Sequence, residues 1–286
     1  MSGARITAIQ LVCHDVVATA SFYGKAFDCR PAAGEETNSR LTRLMLGEQC
    51  IELVATGSQS QIAAQSNSTA FQHCAIVVSD MPAALKRLGT CPGWSTISCC
   101  GAETLPQSSG GVIAFKFRDP EGHPLEFLRF SDDLVPACWK DKTQLFLGID
   151  HSAITTANTG QAARFYANLG FSVTHRQMNE GPEQQRLDDV TAPLVEVTTL
   201  EAAGAKPPHL ELLYYQKPGT IIEVAPVMDI RSTRLILDVN EFRVSPEVFA
   251  NSFQPMRDPE LTGVQESWLR DGDGHILIAR EDRVTI

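Results

Sequence analysis

The stretch Phe71-Gln72-His73-Cys74-Ala75-Ile76-Val77-Val78-Ser79-Asp80 decides how the rest of the chain is interpreted. Its apolar run predicts a β-strand. Asp80 predicts the N-cap of a following helix, because a short carboxylate can accept hydrogen bonds from the free N–H groups of the first turn. His73 stands seven residues before that cap. An imidazole among apolar strand residues is costly unless it is paired or binds a metal, so His73 is the first indication of a site.

The spacing of seven residues recurs along the chain, each time between a strand-like run and an Asp or Asn followed by a helical pattern. The pairs are Ala8 and Asp15, His73 and Asp80, His151 and Asn158, and Thr233 and Asn240. Two copies also carry the same aromatic pair at the same distance, Phe22-Tyr23 and Phe165-Tyr166. A repeated period decides the fold, and here it predicts four copies of a β-α-β-β-β module.

A later strand of three copies carries a glutamate at a matching place: Glu52, Glu126 and Glu211. The fourth copy has Ile278 there and has lost the carboxylate. The second and fourth copies also share an Asp-x-x-Gly-His turn before that strand. We interpret these turns as turn chemistry rather than as metal ligands, because Asp caps a turn and Gly tolerates positive φ.

Local patterns place the elements of each copy. Helices are predicted at 15–28, 81–88 and 159–168. Strands are predicted at 5–14, in a hairpin at 40–46 and 49–55, at 71–78, 112–118, 124–130 and 148–156, and from Gly170 up to Tyr215. The fourth copy is predicted to begin at 232. The segment 57–69 is predicted to be a linker. We expect two domains, residues 1–131 (modules 1 and 2) and 146–286 (modules 3 and 4), joined by 131–142.

Composition and charge limit the classes of function that the protein can have. The 286 residues are 43% hydrophobic and 20% charged, which is ordinary for a soluble globular protein. The formal charge of −10 argues against nucleic acid or an anionic membrane as a partner. The sequence lacks an apolar run of transmembrane length and a signal-peptide core, so we expect a cytoplasmic protein. The eight scattered cysteines are expected to be reduced thiols, with Cys99-Cys100 the one pair of interest.

These residues resemble the vicinal oxygen chelate superfamily, which includes glyoxalase I, bleomycin-resistance proteins, fosfomycin-resistance proteins and extradiol dioxygenases. The likeness covers nearly all of the chain and is strongest at His73…Asp80, at Asp119–Glu126, and at His151…Phe165-Tyr166. The resemblance implies an α+β fold in which βαβββ modules pair into two half-open barrels. It also implies a divalent metal held by the first-strand His or Gln and the last-strand Glu of each module.

Which modules pair decides the implied ligands. If the inner modules pair, the set is His73, Glu126, His151 and Glu211, which is the His2Glu2 set of glyoxalase I. If neighbours pair, Glu52 joins His73 and Glu126. We favour inner pairing, because it explains why the two intact half-sites are adjacent in the chain. Gln10 could stand in for Ala8, although it is out of register by two.

The resemblance implies a metal-dependent lyase or isomerase acting on a small substrate with vicinal oxygens through an enediolate, with Glu126 or Glu211 as the base. The metal could be Fe, Mn, Ni, Co or Zn, since imidazole and carboxylate ligands suit all of these. Two alternatives stay open: an extradiol-type non-haem iron dioxygenase, and a ligand-sequestering protein without catalysis. In the first, the family's ligands fall on His151, Thr233 and Ile278. The other histidines are expected to have ordinary structural roles, and the chain to be a monomer or homodimer.

Overall fold

The computed structural model describes residues 4–56, 63–202, 204, 206–238, 252–253 and 266–280. The strands are β1 (Arg5–Cys13), β2 (Arg30–Pro31), β3 (Leu41–Leu46), β4 (Gln49–Ala55), β5 (Gln72–Val78), β6 (Ser95–Thr96), β7 (Glu103–Thr104), β8 (Ile113–Arg118), β9 (Pro124–Arg129), β10 (Phe146–Thr155), β11 (Phe171–Glu180), β12 (Leu194–Ala202), β13 (His209–Lys217), β14 (Arg234–Asp238), β15 (Ser252–Phe253), β16 (Glu266–Arg270) and β17 (Ile276–Arg280). The helices are α1 (Val16–Phe27), α2 (Met81–Gly89), α3 (Thr159–Ala167) and α4 (Gly181–Asp188).

Two mixed sheets contain these strands. Sheet I has the order β15-β16-β17-β14-β1-β4-β3-β2, and sheet II has the order β11-β12-β13-β10-β5-β9-β8-β6, with β7 beside β8. At the centre of each sheet two copies meet through antiparallel first strands, β1 with β14 in sheet I and β5 with β10 in sheet II. Sheet II therefore joins the second and third copies, and sheet I joins the first and fourth.

This strand pairing is the inner pairing favoured by the sequence, and the α+β class is confirmed. Each sheet takes strands from both halves of the chain, and the domain division at 131 and 146 stays a prediction. The helix expected in the fourth copy lies outside the described residues. Of the predicted linker, residues 66–69 are buried, and Ser68 bridges to Ile221, so this part packs against the protein.

Three of the four N-caps predicted from the repeat are present, and the fourth, Asn240, lies outside the described residues. The side chains of Asp15, Asp80 and Asn158 accept hydrogen bonds from backbone N–H groups three residues later, at 2.8–2.9 Å. The aromatic face of α1 packs onto sheet II, where the rings of Phe27 and Phe127 lie 5.8 Å apart. None of the helices in the described part of the chain has the length and apolar character of a membrane span.

The Asp-x-x-Gly-His turns tie the first copy to the second and the third copy to the fourth, although neither of these pairs shares a sheet. Asp119 Oδ1 accepts the N–H groups of residues 121, 122 and 123, which makes the turn. Its Oδ2 accepts the hydroxyl of Tyr23 at 3.1 Å, and Tyr166 donates to Asp271 in the same way at 3.1 Å. The predicted turn role of these aspartates is therefore correct, and each turn also anchors the helix of the preceding copy.

In this turn the imidazole of His123 lies between two buried acceptors, Asp119 and the Val12 carbonyl, and we call this arrangement the charged link. Nδ1 lies 2.8 Å from Asp119 Oδ2, and Nε2 lies 3.0 Å from the carbonyl oxygen of Val12. Burial by itself lowers the pKa of the imidazole, but the Asp119 carboxylate and the Val12 carbonyl raise the pKa of His123 above its ordinary value. Both ring nitrogens face acceptors, which favours the doubly protonated ring.

A pH dependence follows from His123. Because its folded-state pKa is raised, its stabilisation is fully present below the unfolded pKa of about 6.5 and is lost as pH rises through the folded value. We expect the difference in free energy of unfolding between the wild type and His123→Gln to shrink with rising pH in that window. For one proton the slope reaches at most about 1.4 kcal/mol per pH unit. Urea unfolding of both proteins from pH 6 upward measures this, and a pH-independent difference would contradict the charged link.

Helix α4 was not expected, because the sequence pattern predicts only strands between Gly170 and Tyr215. It begins at Gly181-Pro182 and follows the edge strand β11 directly. Its last three carbonyls accept the Cys99 N–H, the Ser98 hydroxyl and the Ser66 hydroxyl at 3.0, 3.2 and 2.7 Å. The last carbonyls of a helix have no partner within the helix and need donors from elsewhere. Here the donors are residues 66, 98 and 99. The helix therefore packs against β11 and against the β7–β8 pair, which lie toward opposite ends of sheet II.

Candidate metal centre

The strand register places the predicted ligands on one face of sheet II. His73 pairs with Ala153, and Ala75 pairs with His151, so the two histidines lie diagonally across the central strand pair. Ala75 also pairs with Glu126 on β9. In the third copy Ala153 pairs with Glu211 on β13 in the same way. Because side chains alternate along strands, the ligands of both copies point into the same cleft.

Three of the predicted ligands converge closely. His73 Nε2 lies 2.8 Å from Glu126 Oε2, and His151 Nε2 lies 3.9 Å from the same oxygen. One donor atom from each of the three residues lies within 4.8 Å of the other two, and all three residues are buried. Ligands of one cation need this separation, since metal–nitrogen and metal–oxygen bonds are each about 2.0–2.2 Å long.

Glu211 lies beside this group. Its Oε2 is 3.6 Å from His151 Nε2, and its Oε1 is 3.5 Å from His209 Nε2. An ordinary structural role is predicted for His209, yet it lines the same cavity. The available signal was its position two residues before Glu211, which puts both side chains on one face of β13.

The residues present fit a divalent cation. Neither ring nitrogen of the buried His73 has a hydrogen-bond partner among the described residues, because the short contact to Glu126 lacks hydrogen-bond alignment. Burial, followed by the charge of Lys116, lowers the pKa of His73, so the ring is neutral as a ligand must be. Burial opposes ionisation of Glu126, but Lys116 and His73 lower the pKa of its carboxyl to about 2.

His151 is held by groups behind it. Its Nδ1 lies 3.1 Å from Asp150 Oδ2, and Trp139 Nε1 donates to Asp150 Oδ1 at 3.1 Å. A carboxylate behind a ligating imidazole fixes the ring's tautomer and orientation. Burial lowers the pKa of His151, but Glu211 and Asp150 outweigh it and raise the pKa to about 9. A cation would therefore displace a proton here.

The cleft around these ligands has a volume of about 440 Å³. One wall is polar and was not anticipated: Lys116, cross-strand from Glu126, lies 2.7 Å from Asp188 of α4. Tyr215 and Gln184 also donate to Asp188, at 2.8 and 2.6 Å. Other residues that line the cleft are apolar, among them Val195, Val197 and Leu213. The cleft thus combines a ligand cluster with a small apolar chamber, as small-molecule sites do.

Sheet I does not bring Glu52 to this cluster. Arg280 donates to both carboxylate oxygens of Glu52 at 2.5 and 2.9 Å, and Arg43 donates to Oε1 at 2.9 Å. Gln10 donates to Glu52 at 2.9 Å and accepts from Arg234 at 2.5 Å. The carboxylate of Glu52 is therefore neutralised by guanidinium groups, whereas the equivalent glutamates of sheet II lie beside imidazoles. We assign Glu52 a structural role.

The fourth copy needs a correction of one residue. Ile236 pairs with Ile278 as Ala75 pairs with Glu126, so the position equivalent to His73 is Arg234, two residues before Ile236. Spacing from Asn240 indicates Thr233 instead, but Thr233 precedes the first residue of β14. Arg234 is buried and lies 4.8 Å from the centre of the Trp268 ring. Neither Arg234 nor Ile278 can ligate a metal, which removes the iron set His151, Thr233 and Ile278.

Comparison with known proteins agrees with this architecture. No protein-family model and no curated protein sequence matches the chain. Glyoxalase I from Zea mays is similar in structure, with a TM-score of 0.63 and 16% identity over 97% of this chain and 92% of that chain. A candidate dioxygenase from Bacillus subtilis has a TM-score of 0.55 and 14% identity over 99% and 86% of the two chains. At these identities the likeness concerns the fold, and the chain has the fold of the vicinal oxygen chelate superfamily.

Proposed function

We propose that the protein is a metal-dependent lyase or isomerase that moves a proton on a small substrate with vicinal oxygens. The observation that carries this proposal is the convergence of His73, Glu126 and His151 in a cleft of about 440 Å³, with Glu211 beside them. A bound divalent metal would supply Lewis acidity toward the two substrate oxygens. The donor set suits Fe, Mn, Ni, Co or Zn.

The two glutamates have different surroundings, which separates their proposed roles. Glu126 packs against His73 and is cross-strand from Lys116, so we assign it as a ligand. Glu211 lies outside the three-ligand group and is more exposed, with 19% of its side chain accessible. It can hold or transfer a proton at Oε2 on the cleft side while His209 lies against Oε1.

A second candidate function is an iron-dependent dioxygenase. Two histidines and one carboxylate, here His73, His151 and Glu126, are the ligand set of many non-haem iron oxygenases. The position of Glu211 outside the group favours this candidate, whereas its distance of 3.6 Å from His151 favours the four-ligand set.

Metal loading separates these functions from ligand sequestration. We expect purified protein to bind about one equivalent of divalent metal per chain, measured by elemental analysis after dialysis. The loaded protein should then turn over a hemithioacetal of methylglyoxal or a related hydroxy-carbonyl compound. Oxygen consumption with a catechol and Fe(II), without isomerase activity, would instead support the dioxygenase. Absence of metal binding would overturn both and leave a binding protein.

A further inference from the structure

Two neighbouring thiols lie side by side on the surface and are not among the residues that line the cleft of His73. The Sγ atoms of Cys99 and Cys100 are 3.5 Å apart, and both residues are exposed free cysteines. Consecutive side chains in a strand point to opposite faces, so two adjacent thiols meet only where the backbone turns. Here residues 99 and 100 form a turn, and Gly101 follows with φ +92°, a conformation that favours glycine.

The backbone of the pair is fixed by the end of α4. The N–H of Cys99 donates to the carbonyl of Arg186 at 3.0 Å, and the Ser98 hydroxyl donates to the carbonyl of Leu187 at 3.2 Å. The Arg186 side chain is itself held by two hydrogen bonds to Glu103, each 2.8 Å long. The thiols therefore project from an anchored turn, which lowers the entropy lost when both bind one centre.

The spacing of the two sulfurs suits bidentate binding. With bonds of about 2.3 Å from one centre to each sulfur, and angles of about 90–110° between them, the two sulfurs lie roughly 3.3–3.8 Å apart. The observed 3.5 Å is close to that separation and well beyond a disulfide bond. Thiolates are soft ligands and select soft centres. Four other cysteines, Cys13, Cys29, Cys74 and Cys91, are buried, and Cys138 is exposed.

We propose that Cys99 and Cys100 form a two-sulfur site for a soft, thiophilic centre of the trivalent arsenical class. With an arsenic(III) oxide, two As–S bonds form as the As=O bond and both S–H bonds break. The two protons leave with the oxygen as one water, and arsenic keeps its oxidation state. The site is separate from the His73 cluster and needs no residue of it.

The contact between the thiols also affects how they react. The hydrogen bond to Cys100 raises the pKa of the Cys99 thiol, which makes it a weak nucleophile toward one-point alkylating reagents at neutral pH. Binding of one arsenic atom by both thiols is favoured instead, because two bonds form to the same centre. We therefore expect the pair Cys99 and Cys100 to differ from Cys138 in preferring a reagent that binds two sulfurs at once.

The experiment uses the whole chain, reduced with a phosphine and titrated with phenylarsine oxide. We expect one tightly bound equivalent per chain by intact mass, with two fewer thiols available to a colorimetric thiol reagent. Cys99→Ser and Cys100→Ser should each weaken binding at least roughly 100-fold, because one sulfur loses the benefit of linked binding. Cys138→Ser should bind like the wild type.

The His73→Ala variant provides the second control, since it should bind phenylarsine oxide as the wild type does. This result would hold even if the proposed catalytic function fails. Unchanged binding by Cys99→Ser, or no tight adduct on a wild type whose Cys138 is readily alkylated, would overturn the proposal. Loss of the adduct in His73→Ala would overturn the separation of the two sites.

Discussion

His73→Ala is expected to lower the affinity for a divalent metal by at least about 100-fold, since even a residue behind a ligand changes metal affinity 10- to 100-fold. The buried ring of His73 has a close polar contact, Nε2 to Glu126 Oε2 at 2.8 Å, and no aligned hydrogen bond in the described structure, so its removal takes away a metal ligand and leaves the hydrogen bonds of the sheet in place. The fold should therefore persist. Isothermal titration with Zn, Ni, Co, Mn and Fe(II) in turn, with unfolding curves of the same samples, measures both quantities.

Two substitutions control for this result. His175→Ala removes an exposed histidine on β11 and should leave metal affinity unchanged. Glu52→Gln alters the carboxylate that the neighbour pairing would have made a ligand, and it should also keep the metal, because Glu52 is held by Arg280 and Arg43 in sheet I. Metal loss in Glu52→Gln together with retention in His73→Ala would contradict a centre in sheet II.

The repeat made the centre of this fold predictable from sequence. His73 and His151 share a spacing to a helix cap, and Glu126 and Glu211 share a strand position, so the pairs can be found without coordinates. The pairing of inner copies was inferable from the adjacency of intact half-sites. These features depend on local period and cap chemistry, which short stretches of sequence carry.

Other parts of the site depend on contacts between distant segments. Asp188 belongs to a short helix that is stabilised at its end by Ser66, Ser98 and Cys99. Lys116 has a recognisable strand position, but its partner lies 72 residues away. In the fourth copy the register was one residue off, because only strand pairing shows that Arg234, and not Thr233, faces inward. Such features need tertiary structure.

Asp188→Ala is expected to lower the free energy of unfolding by about 3–5 kcal/mol, the usual effect of removing one partner of a buried ion pair. Lys116 and Asp188 both have nearly inaccessible side chains, 5% and 0% exposed. Without Asp188 the ammonium keeps no hydrogen-bond partner among those described. Lys116→Met should be milder, because Tyr215 and Gln184 still donate to the carboxylate. Urea denaturation of each variant measures these differences.

The double variant Lys116→Met/Asp188→Leu shows whether the loss comes from an uncompensated charge. If it does, the double variant regains most of the stability, since apolar residues can replace a buried ion pair without loss. The exposed pair of Arg129 and Asp132 is the matched control, and Asp132→Ala should change stability by less than about 0.5 kcal/mol. Equal losses for Asp188→Ala and the double variant would mean that Asp188 acts through α4 alone. Recovery would instead place a compensated ammonium in the cleft wall, next to Glu126, where it lowers the pKa of that ligand.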